Sequence, residues 1–130
     1  MIGYNPADGA ELWRVSCLRG DIAPSPIYAN GLVFVLEPSS KLVAIKTDGR
    51  GDVTKTHIAW VSEEGGPDIC SPVGDDRYVY LMESGGFMIC CRTENGEKVY
   101  EQDLKVPIVD FLTDTQWTPL FDDAHFGIMV

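Results

Sequence analysis

The strongest constraint on this chain is that its sequence repeats. A Ser-Pro pair followed by apolar residues occurs at Ser25-Pro26 and again at Ser71-Pro72, and Thr118 with Pro119 begins a third copy. The copies lie 46 and 47 residues apart. Spacings of roughly 40–50 residues are typical of propeller blades. Because one such unit cannot bury its own apolar face, the copies have to stack on one another.

Short apolar runs within each repeat follow the pattern of strands. They are rich in Val, Ile, Tyr and Phe, and turn-forming pairs such as Asn30-Gly31 and Asn95-Gly96 separate them. No segment shows the helical period of 3.6 residues over a length of about ten residues or more. The sequence therefore predicts an all-β fold of about eleven short antiparallel strands, four in each repeat. The clearest predicted strands are 32–36, 42–45, 78–82 and 87–91.

The repeat spacing divides the chain into two full blades and two partial ones. We expect residues 1–24 to form the end of one blade and a linker, 25–70 and 71–117 to form two full blades, and 118–130 to begin another. This is a partial β-propeller of about 2.75 blades, whereas closed propellers have roughly four to eight. We therefore expect residues 1–130 to be a piece of a longer propeller, or a protomer that closes a ring by self-association.

The connection at 47–56 is longer than its counterpart at 93–97 in the next repeat. It contains the segment DGRGD from Asp48 to Asp52. Insertions in repeat proteins map to one face, often the binding face, and a binding role for this loop stays open. The segment lacks the alternating acids and distal Glu of a calcium loop, so we interpret it as a solvated turn and predict no metal site.

Composition limits the classes of partner. The net charge is −10, with ten basic residues scattered among twenty acidic ones, which argues against nucleic acid and against anionic membrane surfaces. No apolar run approaches the ~20 residues of a membrane helix, so we predict no membrane insertion. The opening residues, Met1 to Tyr4, lack the basic region and apolar core of a signal peptide.

Two segments resemble the signature of PQQ-like β-propeller repeats, Asp/Asn-x-x-Thr-Gly-x-x-x-Trp. They are YNPADGAELW at 4–13 and RTENGEKVY at 92–100, where Tyr100 replaces the tryptophan. The Ser-Pro openings and the run LVAI at 42–45 also suit that family, and the resemblance covers most of 1–105. It implies an extracytoplasmic setting and one of two roles. Some members are quinoprotein dehydrogenases that bind pyrroloquinoline quinone (PQQ) and calcium, and others are outer-membrane assembly lipoproteins that act as scaffolds.

Cys90 and Cys91 are the pair that the quinoprotein alternative would use. In the family that this chain resembles, quinoprotein alcohol dehydrogenases carry a disulfide between adjacent cysteines next to the quinone. In the repeat alignment, however, the pair matches Ala44 and Ile45, and strand neighbours point to opposite faces. We therefore predict that both cysteines pack in the core, while their redox state stays open. The cysteines show no spacing that resembles paired metal ligands, so Cys17 and Cys70 are interpreted as lone thiols.

Aromatic residues recur at matching places in successive repeats. Trp13, Trp60 and Tyr100 are predicted to dock one blade against the next rather than to stack on a sugar or a quinone. His57 and His125 share no spacing that suggests a common site, and we predict neither a catalytic nor a metal role for them. The acidic pairs Glu63-Glu64 and Asp122-Asp123 are interpreted as solvent-facing turns. The segment Glu64-Gly65-Gly66-Pro67 lacks the Lys-Ser/Thr that a P-loop needs, so we predict no phosphate-binding loop.

No catalytic or metal-binding residue is predicted, and cofactor-binding residues stay unknown. The favoured function is a non-catalytic scaffold or binding module that presents loops to a protein or saccharide partner. No cofactor is expected under this interpretation. The alternative is a part of a PQQ-dependent quinoprotein oxidoreductase, with PQQ and calcium on the propeller axis.

Overall fold

The computed structural model of the chain describes residues 1–63 and 66–105. These residues form eleven β-strands in three sheets and no helix, which confirms the predicted all-β fold. The strands are β1 (Ile2–Tyr4), β2 (Glu11–Arg14), β3 (Ile27–Ala29), β4 (Leu32–Glu37), β5 (Lys41–Lys46), β6 (Gly51–Asp52), β7 (Ile58–Ser62), β8 (Val73–Gly74), β9 (Tyr78–Met82), β10 (Phe87–Arg92) and β11 (Lys98–Asp103).

Two of the sheets are four-stranded and antiparallel, as the repeat predicts. The second sheet has the order β3-β4-β5-β7, and the third has the order β8-β9-β10-β11. β5 and β10 begin and end 46 residues apart, so the repeat in the sequence is a repeat of strands. The first sheet is smaller, with the order β1-β2-β6.

The turn between β3 and β4 shows why the strands end where they do. Asn30 and Gly31 have φ values of 49° and 75°, which suit the tight two-residue hairpin that an Asn-Gly pair favours. Ala29 pairs with Leu32 directly across this turn. The strand register, and with it the choice of buried face, is thereby set by the turn.

Alternation along the strands builds two apolar layers, one on each face of the second sheet. Val35, Val43 and Ile45 face the first sheet, and Phe34 and Leu36 face the third. Adjacent residues of a strand point to opposite faces of the sheet. In a sheet that is covered on both sides, successive residues of each strand are therefore apolar. The buried cluster between the first and second sheets comprises Trp13, Val15, Cys17, Val35, Val43, Ile45 and Val53. The cluster between the second and third comprises Ala29, Phe34, Leu36, Leu42, Ala44, Val79, Leu81, Ile89 and Cys91.

The inserted loop departs from the sequence-based expectation. Asp48, Arg50 and Asp52 are exposed, but the loop as a whole is not a solvated turn. Its residues Gly51–Asp52 form β6, which runs parallel to β2 and belongs to the preceding sheet. Val53 is only 2% exposed, and its backbone N–H donates to the Arg14 carbonyl oxygen at 2.8 Å. The sequence did not predict this attachment, which arises because Val53, the residue after the segment 48–52, places its apolar side chain in the core between two sheets.

Through this contact the loop joins the first and second sheets, and a substitution at Val53 tests how much the contact stabilises the fold. Val53→Ala removes two buried methyl groups and leaves a cavity, so we expect it to lower the free energy of unfolding by about 2 kcal/mol. Urea denaturation measures the loss. Lys55→Ala, an exposed change in the same loop, is the matched control and should alter stability by less than about 0.5 kcal/mol. Equal effects would show that the loop contributes nothing to the packing.

Candidate functional site

Turns from two successive sheets meet to form a polar groove at one edge of the structure. We call it the arginine groove, and its volume is about 360 Å³. The β3–β4 turn, the β8–β9 turn and the β10–β11 connection supply its walls. Its lining residues are Asn30, Asp76, Arg77, Tyr78, Arg92, Thr93 and Glu94.

Thr93 holds the floor of this groove together. It is 1% exposed, and its hydroxyl donates to the Asp76 carbonyl oxygen at 2.8 Å. The same hydroxyl oxygen accepts from Asn30 Nδ2 at 3.2 Å, so it links the two sheets. The Thr93 backbone N–H donates to the Arg77 carbonyl oxygen at 3.0 Å. A buried polar group with all its partners fixes the relative position of the three segments.

One wall of the groove joins aromatic and cationic groups. The Arg92 guanidinium carbon lies 6.0 Å from the centre of the Tyr78 ring, within the range of a cation–π contact. Arg92 Nε also lies 3.6 Å from Glu97 Oε2, and the two side chains are 48% and 67% exposed. Tyr78 in turn packs against Tyr80, with ring centres 6.3 Å apart. This wall therefore offers a pre-positioned cation and an aromatic surface to a molecule that enters the groove.

Asp75 shapes the turn that carries Arg77 and Tyr78. Its Oδ1 accepts from the backbone N–H groups of Arg77 at 2.7 Å and Tyr78 at 2.8 Å. These hydrogen bonds, the one from Arg77 first, hold the pKa of the Asp75 carboxyl below its usual value of 3.8. Charged carboxylates accept such bonds more strongly than protonated ones, so the turn is best ordered when Asp75 is ionised.

The lowered pKa of Asp75 predicts how stability depends on pH. A carboxyl whose pKa is lower in the folded state stabilises the fold above its unfolded pKa and ceases to do so as pH falls through the folded value. We expect Asp75→Asn to be less stable than wild type at pH 7, and the difference to shrink as pH falls below the usual carboxyl pKa of 3.8 and through the lower folded value. Urea denaturation across pH 7 to 2.5 measures this. Asp21→Asn is the exposed control, and a gap that persists at low pH would contradict the assignment.

A second groove lies at the opposite ends of the strands. It has a volume of about 350 Å³ and is formed by the β4–β5 and β9–β10 turns with part of the connection between the sheets. The Ser84 hydroxyl donates to Asp68 Oδ1, and this bond lowers the pKa of the Asp68 carboxyl. Asp68 and Glu83 make this groove acidic. Its lining residues are Ser39, Gly66, Asp68, Glu83, Ser84 and Gly85.

The cysteines occupy the packing positions that the sequence predicts. Cys91 is 3% exposed and lies in the core between the second and third sheets. Cys90 is 1% exposed and hydrogen-bonds with the Tyr100 side chain on the other face of the third sheet. The four cysteines form no disulfide with one another, and Cys17 is buried while Cys70 is partly buried. Because Cys90 and Cys91 face opposite sides, they do not present a joint surface to a quinone.

Burial also makes the Cys17 and Cys90 thiols poor nucleophiles. It raises the pKa of Cys17 and of Cys90, and the hydrogen bond from Tyr100 opposes that effect only in part at Cys90. The thiolate is the reactive form, so a raised pKa disfavours covalent chemistry at neutral pH. The arrangement is that of packed apolar side chains.

Two of the three recurring aromatic residues, Trp13 and Trp60, dock neighbouring sheets as predicted. Trp13 is 7% exposed in the cluster between the first and second sheets. Trp60 packs against the cluster between the second and third sheets, and its Nε1 donates to the Thr93 carbonyl oxygen at 3.0 Å. Tyr100 differs because it lies on the outer face of the third sheet and is 42% exposed.

The His57 side chain contacts residues of the inserted loop. Its Nδ1 lies 2.7 Å from Thr56 Oγ1, and its Nε2 lies 3.6 Å from Asp48 Oδ1. These residue types resemble a nucleophile, base and acid, but the Asp48 side chain is 84% exposed and the 3.6 Å contact is too long for an orienting hydrogen bond. His125, Glu64-Gly65 and Asp122-Asp123 lie outside the described residues.

Two further features hold within residues 1–63 and 66–105. No group of three or more His, Cys, Asp or Glu side chains there is arranged to hold a metal ion. No helix of that part of the chain is long and apolar enough to cross a membrane.

The arginine groove is the feature that sequence reasoning missed. The pairs Asn30-Gly31 and Asp75-Asp76 were identifiable as turns, but their meeting with Thr93 depends on how the sheets stack. A signal was present in the 46-residue spacing, which places Asn30 and Asp76 at the same position of successive repeats. Stacked repeats bring such positions together on one face.

Comparison with known proteins identifies the family. The family model for the outer membrane protein assembly factor BamB matches residues 1–103. Among solved structures, BamB from Moraxella catarrhalis matches with a TM-score of 0.61 and 17% identity, over 78% of this chain and 30% of that one. The chain thus spans 30% of the length of that structure, and at this identity the likeness shows the fold. No curated protein matches the chain significantly. The family match and the sheets together show that the chain belongs to the BamB family of PQQ-like β-propellers.

Proposed function

We propose that this chain is part of a non-catalytic propeller scaffold that binds a protein partner outside the cytoplasm. The arginine groove is the observation that carries the proposal. The description of the matched family, an outer membrane protein assembly factor, supports both a role in assembly and an extracytoplasmic setting. A saccharide partner stays a prediction from the sequence.

The composition of the groove favours a polypeptide as the ligand. Arginine and tyrosine are enriched among the residues that contribute most to protein–protein binding, and Arg77, Tyr78 and Arg92 line one groove. The walls are turns, which in rigid scaffolds often carry binding residues. Thr93 and the Asn30 side chain fix these turns before a partner arrives, which lowers the entropy lost on binding.

The charge of the groove predicts the chemistry of the partner. The groove sets the two arginines Arg77 and Arg92 beside the carboxylates of Asp76 and Glu94, and Asp76 Oδ1 already accepts from Asn30 N. A planar guanidinium pairs with carboxylates through two parallel hydrogen bonds. We therefore propose that the bound segment of the partner carries Asp or Glu side chains that pair with Arg77 and Arg92.

Site-specific photo-crosslinking tests the proposal in bacterial cells that produce the protein. A photoreactive amino acid at Arg77, on the groove, should capture one discrete envelope protein. The same amino acid at Tyr28, which is 68% exposed and does not line the groove, is the matched control. In the purified pair, Arg92→Glu should weaken binding by roughly 30-fold or more, since truncating an interface arginine often costs about 2 kcal/mol and the reversed charge adds repulsion.

Three results would contradict the proposal. Crosslinks of equal yield from Tyr28 would show that the groove is not selective. Unchanged affinity of Arg92→Glu would exclude the arginine wall as the contact. Reduction of an electron-accepting dye after addition of PQQ and calcium would show a quinoprotein enzyme instead of a scaffold.

A further inference from the structure

The arginine groove contains carboxylates as well as guanidinium groups. The β8–β9 turn presents Asp76 and Arg77, and the end of β10 with the connection after it presents Arg92 and Glu94. A further carboxylate, that of Glu97, places its Oε2 3.6 Å from Arg92 Nε. Two cationic side chains thus lie among three anionic ones, so the groove as a whole is not positively charged.

The two carboxylates that line the groove differ in what they do in the fold. Asp76 Oδ1 accepts from the backbone N–H of Asn30 at 3.1 Å, and the Asp76 carbonyl oxygen accepts from the Thr93 hydroxyl at 2.8 Å. Glu94 is exposed, and its side chain has no hydrogen-bond or ion-pair partner within residues 1–63 and 66–105. Its charge is therefore available to a molecule that enters the groove.

The backbone of Thr93 sets the spacing between the charges of Arg92 and Glu94. Its N–H donates to the Arg77 carbonyl oxygen at 3.0 Å, and its carbonyl oxygen accepts from Trp60 Nε1 at 3.0 Å. Arg92 and Glu94 are exposed and flank this anchored residue in sequence. The groove therefore presents a cation and an anion from backbone positions that are fixed before a partner binds.

These charges decide which acidic segment the groove accepts. A segment with acidic side chains alone would pair with the guanidinium groups and would also bring like charge close to Glu94, which opposes binding. The net charge of −10 adds a repulsion of longer range. A segment that carries a Lys or Arg beside its acidic residues avoids both effects, because its cation pairs with the Glu94 carboxylate.

We propose that Glu94 is a specificity-determining residue of the arginine groove, and that the bound segment has mixed charge. Its acidic side chains meet Arg77 and Arg92, and a Lys or Arg beside them meets Glu94. This inference rests on the proposed function, because it adds a second charge to the acidic segment assigned to the same groove. Glu94 contributes both an attraction for the mixed-charge segment and a repulsion of purely acidic competitors, the combination that specific interfaces use.

Selection of phage-displayed peptides on the immobilised 130-residue chain tests the inference. Peptides that also bind Arg92→Glu are removed, so the retained peptides depend on the groove. We expect the retained peptides to share acidic positions and one basic position. On Glu94→Lys that basic position should become Asp or Glu, while the acidic positions stay acidic.

One retained peptide then gives the size of the effect. Glu94→Lys should weaken its binding by roughly fivefold or more, because an exposed ion pair is replaced by a repulsion between like charges. Changing the basic residue of the peptide to Glu should restore most of the affinity for Glu94→Lys. Asp21→Lys is the matched control, because it makes the same change of charge at an exposed position outside the groove. It should retain the wild-type peptides, and both variants should keep the wild-type midpoint of urea denaturation.

The failure of this inference differs from the failure of the proposed function. Retained peptides that are acidic alone, or a basic position that Glu94→Lys leaves unchanged, would overturn the role of Glu94 while the acidic segment stands. A change in the retained peptides on Asp21→Lys would also overturn it, since net charge would then set the preference. If every selected peptide bound Arg92→Glu as well as wild type, the arginine wall itself would be excluded, and the proposed function with it.

Discussion

Replacing Phe34 with alanine is expected to lower the free energy of unfolding by about 3–5 kcal/mol. Phe34 is 0% exposed and lies in the cluster between the second and third sheets. Its ring centre is 5.6 Å from that of Trp60, with the two planes tilted by 50°. The substitution removes a fully buried ring and leaves a cavity that the paired strands β4 and β5 cannot close without losing their register.

Tyr28→Ala is the matched control for this prediction. It also removes an aromatic ring, from the adjacent strand β3, but Tyr28 is 68% exposed. We expect its loss to change stability by less than about 1 kcal/mol. Urea denaturation followed by circular dichroism gives both values. Similar losses at the two positions would show that the sheets do not pack through Phe34.

Gly96→Ala is expected to destabilise the protein by about 2–4 kcal/mol, well above the effect of most alanine substitutions. Gly96 has a φ of +75°, a conformation that residues with a side chain adopt at a cost of about 1–2 kcal/mol. A Cβ at this position would also lie 2.6 Å from Trp60 Cε3. The indole would have to move, which strains its hydrogen bond to the Thr93 carbonyl oxygen.

Gly9→Ala is the control, because it introduces the backbone strain of a positive φ without a side-chain clash. Gly9 occupies the equivalent turn of the first repeat with a φ of +72°, and a Cβ there would meet nothing within 4 Å. Gly9→Ala should therefore cost about 1–2 kcal/mol, and the difference between the two variants reports the contact with Trp60. Tryptophan fluorescence should shift in Gly96→Ala and not in Gly9→Ala. Equal losses of stability would show that Trp60 does not rest on this turn.

Trp60 connects the stability of the core with the candidate binding site. The same indole packs against the apolar cluster and donates to the carbonyl of Thr93, the residue that holds the floor of the arginine groove. Changes at Gly96 are therefore expected to disturb the groove as well as the fold. Binding by the proposed scaffold depends on this packing, because the groove residues come from turns that the stacked sheets hold in place.

Much of the architecture was available from the sequence because it is encoded locally. The alternation of apolar residues and the Asn-Gly turn at Asn30-Gly31 determine strands and registers over a few residues. The repeat spacing then determines that similar sheets stack, and it placed Trp13 and Trp60 between them and Cys91 in the core. Each of these inferences depends only on residues near in sequence or one period apart.

Only the tertiary structure decided the features that depend on contacts between segments distant in sequence. The loop at 47–56 looked like a polar turn, but the single apolar side chain of Val53 draws it onto the preceding sheet, where it adds β6. The arginine groove arises because three turns converge on the buried hydroxyl of Thr93. Neither is visible in local sequence, since hydrophobic burial and hydrogen bonding between distant segments act only once the sheets are assembled.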